Sequence, residues 1–378
     1  MKVKTTNLRV GDWVEVRSKE EILKTLDRNG ELEGMPFMPE MFAFCGKRFQ
    51  VYKRAHKTCD VVFPVRGRWV EEAVHLETRC DGQAHDGCQA GCLLFWKTAW
   101  LKPVNGNAAR PRGDVERERP QADPPGPGCT EADVLARVRY PDPKGGDPFY
   151  ICQATQVPYA TKDLKWWDIR QYVEDYRSGN VSLWQIFCGG VYFLYYTLAE
   201  AGIKLGRPMR WFYDKFHPLW RGTPYPQRRG TLPNGQATPV ETLNLQPGEL
   251  VRVKSYAEIL KTLNYWNRNR GMLFDAEEVP YCGGTYRVLR RVDRVINEKV
   301  GKMQEMKTPG IILEGVVCQS RFSSCRMFCP RSIYSIWREI WLERVGPNPS
   351  EDTVQKARQA GNCPNPAPTG PHVPTEQR

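Results

Sequence analysis

The stretch Leu8–Leu26 reads LRVGDWVEVRSKEEILKTL, and Leu245–Leu263 reads LQPGELVRVKSYAEILKTL. The two lie 237 residues apart, and Ile22–Leu26 is identical to Ile259–Leu263. The same separation relates Gly34 to Gly271, Phe44-Cys45-Gly46 to Tyr281-Cys282-Gly283, and Val51 to Val288. It also relates Cys88 to Cys325 and Cys92 to Cys329. After a four-residue insertion, Trp96, Trp100 and Leu101 correspond to Trp337, Trp341 and Leu342. Self-similarity at a fixed period is the mark of a repeated structural unit. Two copies of one module are therefore expected, at 1–104 and 244–346.

Each module opens on a glycine suited to a turn, Gly11 or Gly248, followed by apolar residues of period two: Val14 and Val16, or Val251 and Val253. That period predicts a half-buried strand. A short amphipathic helix follows, with Ile22, Leu23 and Leu26 on one side. A Gly- and Pro-containing loop then leads to a second strand at Arg48–Tyr52 or Tyr286–Leu289. This succession of short elements resembles a small SH3-like barrel over about 45 residues of each copy. The expected class is α+β: two duplicated, β-rich, cysteine-rich modules flanking a helical, aromatic-rich domain.

Three compositions lie outside the modules. Residues 105–147 hold RPRGDVERERPQADPPGPG, a Pro/Gly/charge mixture expected to be a linker. Residues 148–220 are rich in Trp, Tyr and Phe and are expected to be mostly helical, and 221–243 reads as a second linker. Residues 347–378 are Pro-rich and polar and are expected to be a disordered tail. Within the middle domain, Val181–Ala199 is an apolar run about as long as a membrane span, which takes roughly 20 residues. Its Gln185, Gly189, Gly190 and Thr197 favour a buried core helix, with a membrane-embedded or membrane-surface helix as the alternative.

The chain has 378 residues, 55 Lys+Arg against 43 Asp+Glu, and 13 cysteines. Hydrophobic residues make up 40%, enough to exclude wholesale disorder. The opening MKVKTTNLRVGDWVEV has no apolar run, so no signal peptide is expected and a cytoplasmic setting follows. There, cysteines serve more often as thiols or metal ligands than as disulfides.

The cysteines are patterned. Copy 1 carries Cys45, Cys59, Cys80, Cys88 and Cys92; copy 2 carries Cys282, Cys318, Cys325 and Cys329. Each copy has a lone Cys after its first loop, then Cys-x7-Cys-x3-Cys in copy 1 and Cys-x6-Cys-x3-Cys in copy 2. Three thiols in a compact loop with one distant thiol would close a four-ligand shell around zinc or hold a [4Fe–4S] cluster. Cys45, Cys80, Cys88 and Cys92 are the expected set in copy 1, and Cys282, Cys318, Cys325 and Cys329 in copy 2. Cys59, His56, His75 and His85 are additional candidates confined to copy 1, because Ile296 and Asp293 stand where Cys59 and His56 do.

No Walker loop, Gly-x-Gly-x-x-Gly, His-Glu-x-x-His or Gly-x-Ser-x-Gly is present, so no enzyme class is readable by motif. The expected function is a metal-binding scaffold or binding protein with two cysteine-ligated sites and a protein or small-molecule partner. An iron–sulfur enzyme or electron carrier centred on copy 1 is the second reading. A formal charge of +12 keeps a third open, an adaptor for nucleic acid or a membrane surface.

Overall fold

A computed structural model describes residues 7–62, 65–104, 128–201, 205–220, 222–323 and 325–346. The expected tail at 347–378 lies outside these residues, as does most of the first expected linker. The fold mixes helix and sheet, and its main sheets are antiparallel, with a curled, half-barrel form.

In the first half, β1 (Trp13–Val16) is followed by α1 (Lys19–Leu23), β2 (Arg48–Arg54), and a side hairpin of β3 (Lys57–Asp60) and β4 (Arg66–Trp69). Then come β5 (Ala73–Arg79), β6 (Leu93–Lys97) and β7 (Leu101–Pro103). The main sheet has the order β6-β5-β2-β1-β7. The middle segment supplies α2 (Glu131–Arg137), α3 (Gln153–Ala160), β8 (Lys162–Leu164), α4 (Arg170–Arg177), α5 (Leu183–Glu200) and α6 (Gly206–Phe216). α2 stands inside the stretch expected as a linker, held at its start by reciprocal Thr130 and Asp133 capping. In the second half, β9 (Leu250–Val253), α7 (Tyr256–Leu260), β10 (Thr285–Ile296), β11 (Met303–Val317), β12 (Tyr334–Trp337) and β13 (Leu342–Arg344) form a sheet of order β12-β11-β10-β9-β13.

The strand registers run parallel in the two halves. Val14 pairs with Phe49 and Val251 with Tyr286; Val51 pairs with Leu76 and Val288 with Leu313; Val74 pairs with Trp96 and Ile311 with Trp337. Both short helices start with a capping box, Ser18 with Glu21 and Ser255 with Glu258. Each satisfies two of the backbone donors that a helix start leaves unpaired.

Aromatic side chains fill both cores in the same way. Phe37 meets the Trp100 ring edge-on at 5.2 Å, and Phe274 meets Trp341 at 5.3 Å. The Trp100 indole donates to Thr25 Oγ1 at 3.1 Å and that of Trp341 to Thr262 Oγ1 at 2.9 Å. One detail differs. The Trp96 indole donates to Thr78, but the matching Trp337 N–H is buried without a partner, because Gly315 occupies the position of Thr78. His75 likewise lies fully buried where the second half has Ile312.

The middle segment is only partly the helical core expected of it. α5 coincides with the apolar run 181–199 but is not buried: Ala199 is its one buried residue, while Trp184, Phe187, Val191 and Leu194 are exposed. The helix is apolar around its whole circumference, so periodicity could not tell a core helix from one docked by a single edge. That edge is held by Tyr192 against Phe322, at 5.0 Å, and by Gly189, where a Cβ would lie 2.5 Å from the Phe328 ring. Among the described residues no helix is long and apolar enough to cross a membrane.

Two outcomes follow from this packing. Trp100→Ala and Trp341→Ala should each cost about 3–5 kcal/mol in urea unfolding, the usual range for emptying a buried aromatic site. Trp13→Ala, at 52% exposure, should stay within about 0.5 kcal/mol of the parent.

The second concerns His75, whose pKa burial pushes down to about 3. The unfolded chain takes up this proton near pH 6.5, so the stability that neutral His75 preserves is complete above that pH and falls as pH drops towards 3. The slope approaches about 1.4 kcal/mol per pH unit. His75→Ile, the residue of the other half, should flatten the acid limb of the urea midpoint against pH; an unchanged limb would refute the assignment.

Candidate metal centre

No disulfide joins any two of the twelve described cysteines. Their grouping in space departs from their grouping in sequence. The loop between β5 and β6 carries Cys80, Cys88 and Cys92 and closes on itself: Cys80 N donates to the Cys92 carbonyl at 2.9 Å, and Cys88 N to the His85 carbonyl at 3.1 Å. Gly82 makes the turn possible. Its φ is +76°, and a Cβ there would lie 1.9 Å from the Cys88 carbonyl oxygen.

The loop wraps a piece of the middle segment. Tyr150 donates to Asp86 at 2.5 Å, and the Ile151 carbonyl lies 3.0 Å from His85 Nε2. Cys152, the next residue, is thereby carried beside the loop. A charge on it acts on both Cys80 and Cys92, and a charge on Cys88 acts on Cys92 and on Cys152. Burial is the main force on Cys80, Cys92 and Cys152. It pushes Cys92 up to about 12 and Cys152 up to about 11, with the nearby Glu298 carboxylate adding to both, and it raises Cys80 further, with help from Glu40. Buried thiols crowded in this way hold their protons until a cation offsets the desolvation of their thiolates.

Glu40 and His85 complete the surroundings of Cys80; the donor atoms of the three lie within 4.8 Å of one another. His85 Nδ1 is 2.7 Å from Glu40 Oε1, and Cys80 Sγ donates to the same oxygen at 3.6 Å. Burial opposes charge on both members of the His85–Glu40 pair, but their bond outweighs it, lowering the Glu40 pKa and raising that of His85. Glu40 Oε2 is buried with no partner. Such an orphaned carboxylate oxygen is costly unless a cation or proton reaches it.

The remaining expected ligands go elsewhere. Cys59 sits on β3, buried and within electrostatic reach of Cys329, in the loop between β11 and β12 that also carries Cys318 and Cys325. Cys45 packs against the first core, where the charges of Lys19 and Glu20 act on it, and Cys282 packs against the second core beside Glu278. For neither is the dominant charge another thiol. His56 faces the Gln171 carbonyl at 3.1 Å and Asp175 at 3.3 Å. His75 gives its Nδ1 hydrogen to the Leu94 carbonyl at 2.8 Å.

Cys152 stands outside both modules and belongs to neither expected set of four; the sequence offers it as a ligand from outside, but no spacing connects it to the loop cysteines. Lys57 is a further buried group, but its amine donates to Asp175 at 2.5 Å, Met327 O at 2.8 Å and Gln171 at 3.3 Å, so its three hydrogens are engaged in joining α4 to β3. No protein-family model matches the chain, and comparison with curated proteins returns no match.

Gly82→Ala should lower the urea midpoint well beyond Gly87→Ala. Gly87 has the same φ of +76° but nothing within 4 Å of a Cβ, so it carries only the left-handed backbone cost of about 1–2 kcal/mol. Equal effects would show that the close approach to Cys88 does not matter.

Proposed function

We propose that this chain is a zinc-binding structural protein in which Cys80, Cys88, Cys92 and Cys152 hold one ion. What supports this reading is that Glu40, Cys80 and His85 set three donor atoms within 4.8 Å of one another, and that the Cys80–Cys92 loop closes around residues 150–152, which brings Cys152 within electrostatic reach of Cys80 and Cys92. Four protein ligands fill the shell of zinc and leave no position for a reacting water, which is the signature of a structural site. Metal binding then contributes to folding, because the unfolded chain has no such arrangement.

The donor chemistry favours zinc over a [4Fe–4S] cluster. Cys80 is flanked by an imidazole and a carboxylate, and zinc accepts sulfur, nitrogen and oxygen donors, whereas iron–sulfur clusters are typically held by thiolates. The Glu40–His85 pair would orient Cys80 from behind, as hydrogen-bonded outer groups commonly do. A reducing compartment such as the cytoplasm keeps the thiols available.

The frame so stabilised is read as two copies of one SH3-like module, a reading supported by their matching strand orders and registers. Between the middle segment and the loop joining β11 to β12 the protein presents an apolar cavity of about 370 Å³, lined by Trp166, Trp167, Tyr172, Phe193, Met327 and Phe328. Its lining suits the flat, apolar part of a small-molecule or peptide partner.

Elemental analysis of the full chain, purified under reducing conditions, tests the reading. Zinc should remain bound through gel filtration, and Cys152→Ser should remove one equivalent per chain. A coloured protein containing iron and sulfide would replace this reading with the iron–sulfur one, and a metal-free protein with freely titratable thiols would refute both.

A further inference from the structure

α5 is tied to the protein along one edge and leaves another uncovered. Tyr192 rests on Phe322, Gly189 approaches Phe328, and α6 lies alongside, with Tyr213 against Tyr192 and Tyr195. The open face carries Leu183, Trp184, Phe187, Val191, Leu194 and Leu198, spaced three or four residues apart for the most part, as one helix stripe requires. They are 42% to 64% exposed. No charged residue stands between Arg177 and Glu200, and at 1.5 Å per residue the stripe runs for roughly 23 Å.

The apolar surface continues onto the neighbours of α5. Trp166 meets Phe193 at 4.9 Å, and Trp167 and Ile169 next to it are exposed. On α6, Trp211 and Phe212 are exposed as well. A contiguous apolar area of this kind marks a contact surface.

Charge indicates what the surface contacts. The carboxylates of α4, α5, α6 and the turn before α4 are all engaged. Asp168 pairs with Arg170 at 2.6 Å, Glu174 with Arg54 at 3.8 Å, Asp175 with Lys57 at 2.5 Å, Glu200 with Arg210 at 2.9 Å, and Asp214 with Arg228. Lys165, Arg177, Arg207 and Lys215 are exposed on the same elements and form no ion pair among the described residues. The elements that carry the apolar face therefore present an excess of positive charge. Pairing of this face with a second copy would bring like charges together, which disfavours that occupant.

We propose that α5, with α6 and the turn at 166–169, docks on the surface of an anionic lipid bilayer. Leu, Phe and Trp side chains beside Lys and Arg are the composition of a helix lying in the plane of the membrane interface, where the apolar face enters roughly 5–10 Å. Lys165, Arg177, Arg207 and Lys215 supply the attraction to acidic headgroups. The helix lies on the bilayer and does not cross it, since its other edge is packed on the protein. The docking is independent of the metal centre, whose residues all lie outside α4, α5 and α6.

Cosedimentation of the full chain with lipid vesicles tests the proposal. Vesicles of equal parts phosphatidylcholine and phosphatidylserine should bind the parent more tightly than phosphatidylcholine alone, and added potassium chloride should weaken that binding. Arg207→Gln with Lys215→Gln should lower affinity for the mixed vesicles about fivefold per cation removed. Trp184→Ser with Phe187→Ser should lower it by about tenfold or more. All four positions are exposed, so the urea midpoints should stay close to that of the parent.

No binding of the parent to the mixed vesicles, or undiminished binding by Trp184→Ser with Phe187→Ser, would overturn the proposal. Equal binding to both kinds of vesicle would overturn the choice of an anionic surface. A parent that sediments as a dimer without lipid, and as a monomer once Trp184 and Phe187 are replaced, would make a second copy the occupant and also refute the docking.

Discussion

The end of each half's hairpin is buried against the cysteine loop of the other, and the rest of the architecture is arranged around that exchange. On one side Cys59, Lys57 and Gly67 enter the Cys318–Cys329 loop; on the other, Asp293, Arg294 and Ile296 close over Cys88 and Gln89. These contacts combine backbone hydrogen bonds with buried thiols and a buried guanidinium. Each group depends on a partner from the opposite half, since an unpaired polar group in the interior costs about 1–3 kcal/mol or more. Neither loop is complete without the other half of the chain.

This dependence suits loops that hold little regular structure. Between Arg79 and Leu93 the first loop has one short 3-10 turn, Gln83–His85, and the second turns back through left-handed residues at Ser320, Phe328 and Ser332. Segments with few apolar contacts open at small cost in free energy. Metal binding at the first loop, as proposed, would remove that weakness there, since a bound ion stabilises the folded state through ligands the unfolded chain does not preassemble. The aromatic pairs and capping boxes hold the sheets, and the contacts between the halves hold the loops.

The middle segment links these loops to the apolar cavity. Met327 and Phe328, which line the cavity, lie between Cys325 and Cys329, and Lys57 reaches across from Asp175 to the Met327 carbonyl. Ordering of the cysteine loop is therefore also ordering of a cavity wall. The exposed aromatic face of α5 extends the same surface, and apolar patches of this kind mark contact sites in proteins more often than chance exposure does.

Local chemistry was legible in the sequence wherever the relevant partners were close along the chain or repeated at 237 residues. The strands at Val14–Val16 and Val251–Val253 could be read from alternation. The helix starts at Ser18 and Ser255, and the grouping of three cysteines in each loop, are equally local. Burial of α5 could not be read, because a helix apolar on every side has no face to assign. The surroundings of the cysteines could not be read either: Cys45 and Cys282 match in the repeat but rest on the cores, while Cys152 and Cys59 are carried beside loops from other parts of the chain. By itself the sequence determined the paired elements and the loops that carry the thiols, since these depend on periodicity and short spacing. What surrounds each thiol was decided only by the tertiary crossing of the two hairpins, because proximity between distant residues is a property of packing and not of spacing along the chain.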